Sequence, residues 1–417
     1  MSRLHLIKSR LKHNPLGQNR KNKGIALLLA ITTLMFMVYI ASEVTRDSSV
    51  EYIVNSQELS RLKSYYAARN SMQIALLRIK LFQQASKLAL PPGFANEIDQ
   101  IWKFPFAWPL PVSGGTNAVD RDTMQKLTSE SLMDASYTHS IEDEGSKIDV
   151  NDLASPSKTL QEITKKQLMN IFEQKLESDE EFRKDYQSVR FDELVNHIGD
   201  WMTDSNTSLS GQDKRSAFSE LGRDYPPNRG FRTIEEIRLV PGMTEELFNL
   251  LSPHITIYGM KAINPNTATK EVLKSLDSGM TDAAVDAAIA FRSDPEKGPF
   301  KGEGDACINA FKAIVQNDAR LTPEFDKTPM LCDKVINFRI KATGIYGSGS
   351  QAVMKTITAV VIDLNKSAAQ IKGFLDKEKQ AANPTPPATT PAGQQSSAAN
   401  QEALPKGPPR VVYWTEN

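Results

Sequence analysis

The chain's one long apolar run, Ile25-Ala-Leu-Leu-Leu-Ala-Ile-Thr-Thr-Leu-Met-Phe-Met-Val-Tyr-Ile-Ala41, constrains everything that follows it. About 17 residues at 1.5 Å rise make roughly 26 Å of helix, close to the hydrocarbon thickness of a bilayer. Ahead of it stand Arg3, Lys8, Arg10, Lys12, Arg20, Lys21 and Lys23, with no acid among them. That bias holds a leader in the cytoplasm and directs the rest of the chain across the membrane. A cleaved secretory signal is the plain alternative, but its apolar region is shorter and ends in a small-x-small site. Tyr39 stands where cleavage after Ala41 needs a small residue, and no Pro or Gly ends the run.

Instead the pattern continues as helix. Glu43, Arg46, Glu51, Glu58, Arg61 and Lys63 interleave with apolar positions, and Leu59, Leu62, Tyr66, Met72, Leu76 and Ile79 recur at three- to four-residue steps or their multiples. The first strong breakers are Pro91-Pro92-Gly93. One helix from Ile25 to about Ala85 is on the order of 90 Å long, half of it in the membrane and half under a globular head.

A basic leader ending in Gly24, then an apolar helix that turns amphipathic, resembles the pilin and pseudopilin class. The resemblance implies cleavage by prepilin peptidase between Gly24 and Ile25, leaving Ile25 as the mature terminus. Members of that class usually carry Glu at the fifth mature position, where this chain has Leu29. A carboxylate in lipid is costly unless paired, and the usual Glu is thought to pair with the terminal ammonium of a neighbouring subunit. A subunit without it suits the first position of a filament, as in the K-type minor pseudopilin of type II secretion. An ordinary single-span anchor is the other reading of Leu29.

The 417 residues leave room for two domains after the anchor, and 50 basic residues balance 50 acidic ones, so overall charge points to no nucleic-acid partner. Cys307 and Cys332 are the only cysteines. In an oxidising compartment they can bridge, at about 3 kcal/mol, or remain two thiols. Tyr137 to Asn151 reads as a hairpin turning at Asp143-Glu144-Gly145. From Ser157 the period becomes helical: Leu160, Ile163, Leu168, Ile171 and Phe172 mark one helix, and Phe191, Leu194, Val195 and Ile198 another. Alternating runs at 335–343 and 352–362 restore the β signal. Residues from about 365 to 410 are rich in Ala, Pro, Thr, Gln and Ser and read as disordered. Val411-Val-Tyr-Trp414 then reads as a final strand or a sticky tail.

The expected fold is therefore α+β. A long N-terminal transmembrane and amphipathic helix packs on an antiparallel, pilin-like β-sheet that carries a large inserted α-helical domain with helix-hairpin-helix-like units. The expected segments are a basic leader (1–24), the N-terminal helix (25–86, with 25–41 transmembrane) and a first β region (87–156). The inserted helical domain (157–330), a second β region (331–364), a disordered loop (365–410) and a terminal strand (411–417) follow.

Ile148-Asp-Val-Asn151, Asp200-Trp-Met202, Asp224-Tyr-Pro-Pro-Asn228, Phe231-Arg-Thr-Ile-Glu-Glu-Ile-Arg-Leu-Val-Pro-Gly-Met-Thr244 and Ile263-Asn-Pro-Asn-Thr-Ala-Thr269 are similar, in this order, to segments of general secretion pathway protein K. The resemblance runs from Gly24 to Trp414. It implies a minor pseudopilin at the tip of the type II secretion pseudopilus, in the inner membrane with its head in the periplasm. Its partners would be other minor pseudopilins and the major pseudopilin, packing on the face Leu59–Leu62–Tyr66–Met72–Leu76–Ile79, together with the peptidase and the inner-membrane secretion platform. Its work would be to nucleate a filament that helps export folded proteins.

The Val-Pro-Gly-Met and Asn-Pro-Asn-Thr-Ala elements also resemble helix-hairpin-helix units, so the rival function is a membrane-anchored DNA-binding protein for DNA uptake. DNA needs a positive field. Glu235, Glu236, Glu245 and Glu246 outnumber Arg232 and Arg238 at the first hairpin, and Glu271 and Asp277 offset Lys261, Lys270 and Lys274 at the second.

Asp200, Asp204, Asn206 and Asp213 place oxygen atoms along one loop, which hard cations such as calcium can organise. The resembled family binds calcium in a comparable loop, but here Thr203 and Gln212-Asp213 depart from its pattern. The same residues also read as an N-cap and solvated turn. His5, His13, His139, His197 and His254 join no nucleophile or metal-hydrolase spacing, so the chain reads as an assembly component rather than an enzyme.

Overall fold

The computed structural model describes residues 20–85, 101–110, 118–131, 133–211, 213–222, 225–302, 304–332, 335–382 and 409–417. The leader up to Asn19, the breakers Pro91-Pro92-Gly93 and residues 383–408 lie outside them.

Helix α1 spans Arg20–Ala85, 66 residues or about 100 Å. Thr32, Thr33, Thr45, Ser49 and Ser60 donate their hydroxyls to carbonyls three or four residues back, which satisfies them without any outside partner. Among the described residues, nothing else covers its first half, whose apolar side chains are exposed. From Ser64 onward one side is buried, through Ala67, Ala68, Ser71, Met72, Ala75, Ile79 and Phe82.

That side lies on a five-stranded antiparallel sheet of order β1-β2-β5-β6-β7. Its strands are β1 (Phe106–Trp108), β2 (Ala135–Asp143), β5 (Asn337–Tyr346), β6 (Val353–Ile362) and β7 (Arg410–Glu416). Alternation decides which residues face α1: Phe338, Ile340 and Ala342 of β5 and Ile357, Ala359 and Val361 of β6 join Met72, Ile79, Phe82 and Trp102 in one core. Helix α2 (Ala118–Glu130) lies between β1 and β2 in the chain.

Between β2 and β5 comes a helical domain. Its helices are α3 (Lys158–Ser178), α4 (Glu180–Tyr186), α5 (Phe191–Asp200), α6 (Lys214–Ala217), α7 (Glu245–Leu251), α8 (Lys270–Ser275), α9 (Asp282–Ser293) and α10 (Asp305–Val315). Polar side chains start most of them: Ser157, Asp179, Thr244, Thr269 and Thr281 each accept from a backbone N–H of the first turn. Leu160, Ile163, Leu168, Ile171 and Phe172 of α3 and Phe191, Leu194, Val195 and Ile198 of α5 are buried, as their spacing predicts. Cys307 and Cys332 form a disulfide, Cα–Cα 5.6 Å, tying α10 to the approach to β5.

Two expectations are corrected. Residues 137–151 are not a hairpin: β2 ends in a 3₁₀ turn at Glu144–Ser146, and β3 (Ile148–Asp149) pairs in parallel with β4 (Ile255–Thr256). The turn is buried and its groups are taken by the helical domain. Asn264 Nδ2 and Thr267 Oγ1 donate to Asp143 at 2.8 and 2.7 Å, Asn264 N donates to the Gly145 carbonyl at 2.8 Å, and Glu144 binds Arg339 and Thr256. Nor does an irregular loop begin at residue 365. Leu364–Ala382 is helix α11, because helix-favouring Ala, Lys, Gln, Leu and Glu run until the first proline at Pro384. Its Glu378 accepts from Ser157 Oγ and from Thr159 N at the start of α3, and Lys377 pairs with Asp305 at 2.9 Å.

Candidate functional site

Among the described residues, nothing packs against the start of α1. Gly24 has no heavy atom within 4 Å of where a Cβ would stand, and Ile25 and Leu29 are 61% and 57% exposed. The helix from Gly24 is long and apolar enough to cross a bilayer, with mean hydropathy 2.3 in its most apolar window.

The partner face expected on α1 divides in two. Leu59, Leu62 and Tyr66 are about half exposed, whereas Met72 and Ile79 are buried against the chain's own sheet and Leu76 is half-buried. The cause is helical phase. The six-residue step from Tyr66 to Met72 turns the helix by about 240°, so the second trio lies roughly 110° around from the first. In phase with Leu59, Leu62 and Tyr66 are Leu77 and Leu81, 53% and 46% exposed. Summing angles at 100° per residue, rather than counting steps, finds them in the sequence.

A serine and a histidine meet under β1, but with roles opposite to those of a nucleophile and its base. Arg78 Nη1 lies 2.8 Å from His139 Nε2, so that nitrogen accepts, and Nδ1 carries the proton towards Ser71 Oγ at 3.0 Å. Burial and the Arg78 charge push the imidazole down to about 4. The hydroxyl therefore receives a proton where a nucleophile must lose one, and Ser71 is fully buried. His197 binds the Pro241 carbonyl at 3.0 Å and packs edge-on to Phe218.

Asp200, Asp204, Asn206 and Asp213 each have partners within the chain or its charge field. Asp200 is buried and already accepts from Leu209 N at 2.8 Å and from Ser208 Oγ. Asp213 caps α6 by accepting from Arg215 N at 3.1 Å, and the Asn206 backbone carbonyl accepts from Lys214 N. Among them lies an amine. Lys214 Nζ bonds to the Thr203 carbonyl, to Thr203 Oγ1 at 3.3 Å and to Asn228 Oδ1 at 2.7 Å, within the fields of Asp200 and Asp204. Calcium takes six to eight oxygens, and here three neighbouring oxygens, two of Thr203 and one of Asn228, are bonded to an ammonium instead. Among the described residues no cluster of three or more His, Cys, Asp or Glu is arranged to hold a metal.

Four of the hairpin cations have acidic partners within the chain. Arg238 pairs with Glu245, Lys270 with Asp286 at 2.7 Å, Lys274 with Asp282 at 3.0 Å, and Lys261 with Asp149 and Asp152 at 2.6 Å each. Hairpin N–H groups are used too: Asp277 accepts from Gly279 N and Thr322 N, and Thr244 and Thr269 cap α7 and α8. Asn266 turns inward to Phe300 and Cys332.

Residues 146–260 match the family model described as type II secretion system, protein K. The span begins in the turn after β2 and ends just past β4, within the helical insertion. It contains the Ile148-Asp-Val-Asn151, Asp200-Trp-Met202 and Phe231–Thr244 motifs, so the resemblance drawn from them is borne out there. Among solved structures, a chain in the crystal structure of the GspK-GspI-GspJ complex from the enterotoxigenic Escherichia coli type 2 secretion system is similar at 16% identity and a TM-score of 0.49. The match covers 75% of this chain and 95% of that one. No curated protein matches.

Proposed function

We propose that this chain is a K-type minor pseudopilin that caps the pseudopilus of a type II secretion system. The family match over residues 146–260 carries the reading, because it falls on the helical insertion of a chain built on an apolar N-terminal rod. Other features support it. Among the described residues, Ile25 to Ile40 have no packing partner, Leu29 stands where the usual acidic group would be, and the helical insertion between β2 and β5 enlarges the head.

Prepilin peptidase cuts between Gly24 and Ile25. The rod stays in the inner membrane with the head in the periplasm, and sibling minor and major pseudopilins pack along it on the secretion platform. The filament below then helps folded proteins leave through the outer membrane. DNA uptake is the weaker reading, since Lys261, Lys270, Lys274 and Arg238 are all neutralised internally.

Amino-terminal sequencing of protein purified from membranes tests the proposal, with Ile25 as the expected first residue. Gly24→Ala, which adds a side chain where the peptidase needs none, should leave the leader attached. An Ile25 start that persists in Gly24→Ala, or a wild-type protein that keeps its leader, would sink the reading.

A further inference from the structure

We propose that the 200–213 loop is organised by the chain's own ammonium, that of Lys214, held in an oxygen cage in place of a divalent ion. Lysine is among the side chains least often buried, yet Lys214 is only 2% exposed. Its three N–H donors have three acceptors: the Thr203 carbonyl, Thr203 Oγ1 at 3.3 Å and Asn228 Oδ1 at 2.7 Å. A backbone carbonyl, a hydroxyl, an amide oxygen and two carboxylates in electrostatic range form the donor set of a hard-cation site. Burial lowers the Lys214 pKa, and the charges of Asp200 and Asp204 oppose that shift.

The location gives that charge a task. Thr203 follows α5 directly, whereas Asn228 belongs to the turn leading to Phe231, so the ammonium staples two segments 25 residues apart. The same two segments also meet through rings: Trp201, at the end of α5, stacks on Phe231 at 5.4 Å and lies 5.7 Å from Tyr225. The ammonium closes the segment after α5 onto the turn before Phe231. A mobile ion performing that closure would make the head depend on the metal content of its compartment. A tethered ammonium removes that dependence, and like charge keeps a divalent ion out of the same cage.

The test uses the full-length protein in detergent micelles. For the wild type, neither added calcium nor excess EDTA should move the melting temperature, and calcium titration should give no binding heat. Lys214→Met should melt several degrees lower and be cut faster by protease within 203–211. Lys214→Ala, which empties the cage of its amine, should acquire a calcium-dependent rise in melting temperature that the wild type lacks. Thr203→Val withdraws one acceptor more gently and should fall slightly in melting temperature, still without a calcium response. This variant carries the test should the lysine variants fail to fold. Calcium stabilisation of the wild type overturns the proposal. So does wild-type melting in Lys214→Met or Thr203→Val, and so does a Lys214→Ala protein that folds but stays indifferent to calcium.

Discussion

Gly344 sets the distance between β5 and α1. A Cβ there would stand 2.0 Å from the Ser64 carbonyl oxygen and 2.4 Å from Ala68 N, so neither backbone could keep its place. Gly344→Ala should cost about 3 kcal/mol or more, in the range of a rigid overpacked contact, and should loosen the lower half of α1. Thermal unfolding and protease sensitivity near Ala67 measure it, and an unchanged melting temperature would refute it. Asp143 makes a second case at this scale. Burial outweighs its bonds from Thr267, Gly145 and Asn264, and its pKa is pushed up to about 6. The ordinary value in an unfolded chain is about 3.9. The folded state thus binds the proton more tightly, so this group's contribution is fully present below about pH 4. It is lost as pH rises to about 6, by an amount of order 2–3 kcal/mol. In Asp143→Asn that part of the pH dependence should vanish even if the variant is weaker throughout, and parallel wild-type and variant curves from pH 4 to 7 would refute the assignment. Neither role was legible in the sequence. A glycine within an alternating run looks like a weak strand position, and Asp143-Glu144-Gly145 looks like a hairpin turn until the helical domain is seen to fill its hydrogen bonds.

Elements whose burial follows one period were legible, and those decided by neighbours were not. The alternation at 335–343 and 352–362 becomes β5 and β6, and the apolar spacing of α3 and α5 marks their buried sides. The β2–β3 turn misleads because its fate depends on Asn264 and Thr267, more than 100 residues away. Composition hid α11, since averaging over 365–410 blends a helix-forming stretch with the prolines that follow. For the cation loop, counting acids could not reveal that the decisive residue is a base. Spacing alone left the cysteines undecided, and the structure joins α10 to the segment before β5 through them. That bond closes a loop of 25 residues in sequence separation, worth about 3 kcal/mol. Replacing both Cys307 and Cys332 with Ser should lower the melting temperature, and reductant should lower that of the wild type to match. If reductant leaves the wild type unmoved while the double variant melts early, the loss belongs to packing at Cys307 rather than to the cross-link.

At the scale of the whole molecule, α1 buries one side of its lower half and leaves the rest of its apolar surface without a partner. Ile25 to Ile40 are bare, and Leu59, Leu62, Tyr66, Leu77 and Leu81 continue as a stripe on the flank turned away from the sheet. An apolar surface of that extent marks a bilayer or a protein interface, and the two parts ask for different solvents. The upper part is an uninterrupted apolar run suited to lipid. The lower stripe alternates with Lys63, Asn70, Gln73, Lys80 and Gln84, as a helix–helix contact beside water does. If sibling subunits pack along the rod, single cysteines replacing Leu62 and Leu77 should cross-link to another pseudopilin in intact membranes. A cysteine replacing Met72, fully buried against the chain's own sheet, should not. Western blots of cross-linked membranes from cells expressing each variant read this directly. Adducts at Leu62 and Leu77 alone place the partner on the exposed flank. Equal yields at all three positions would mean that the lower half of α1 leaves its sheet in the assembly, and no adduct at Leu62 or Leu77 would refute packing through this stripe.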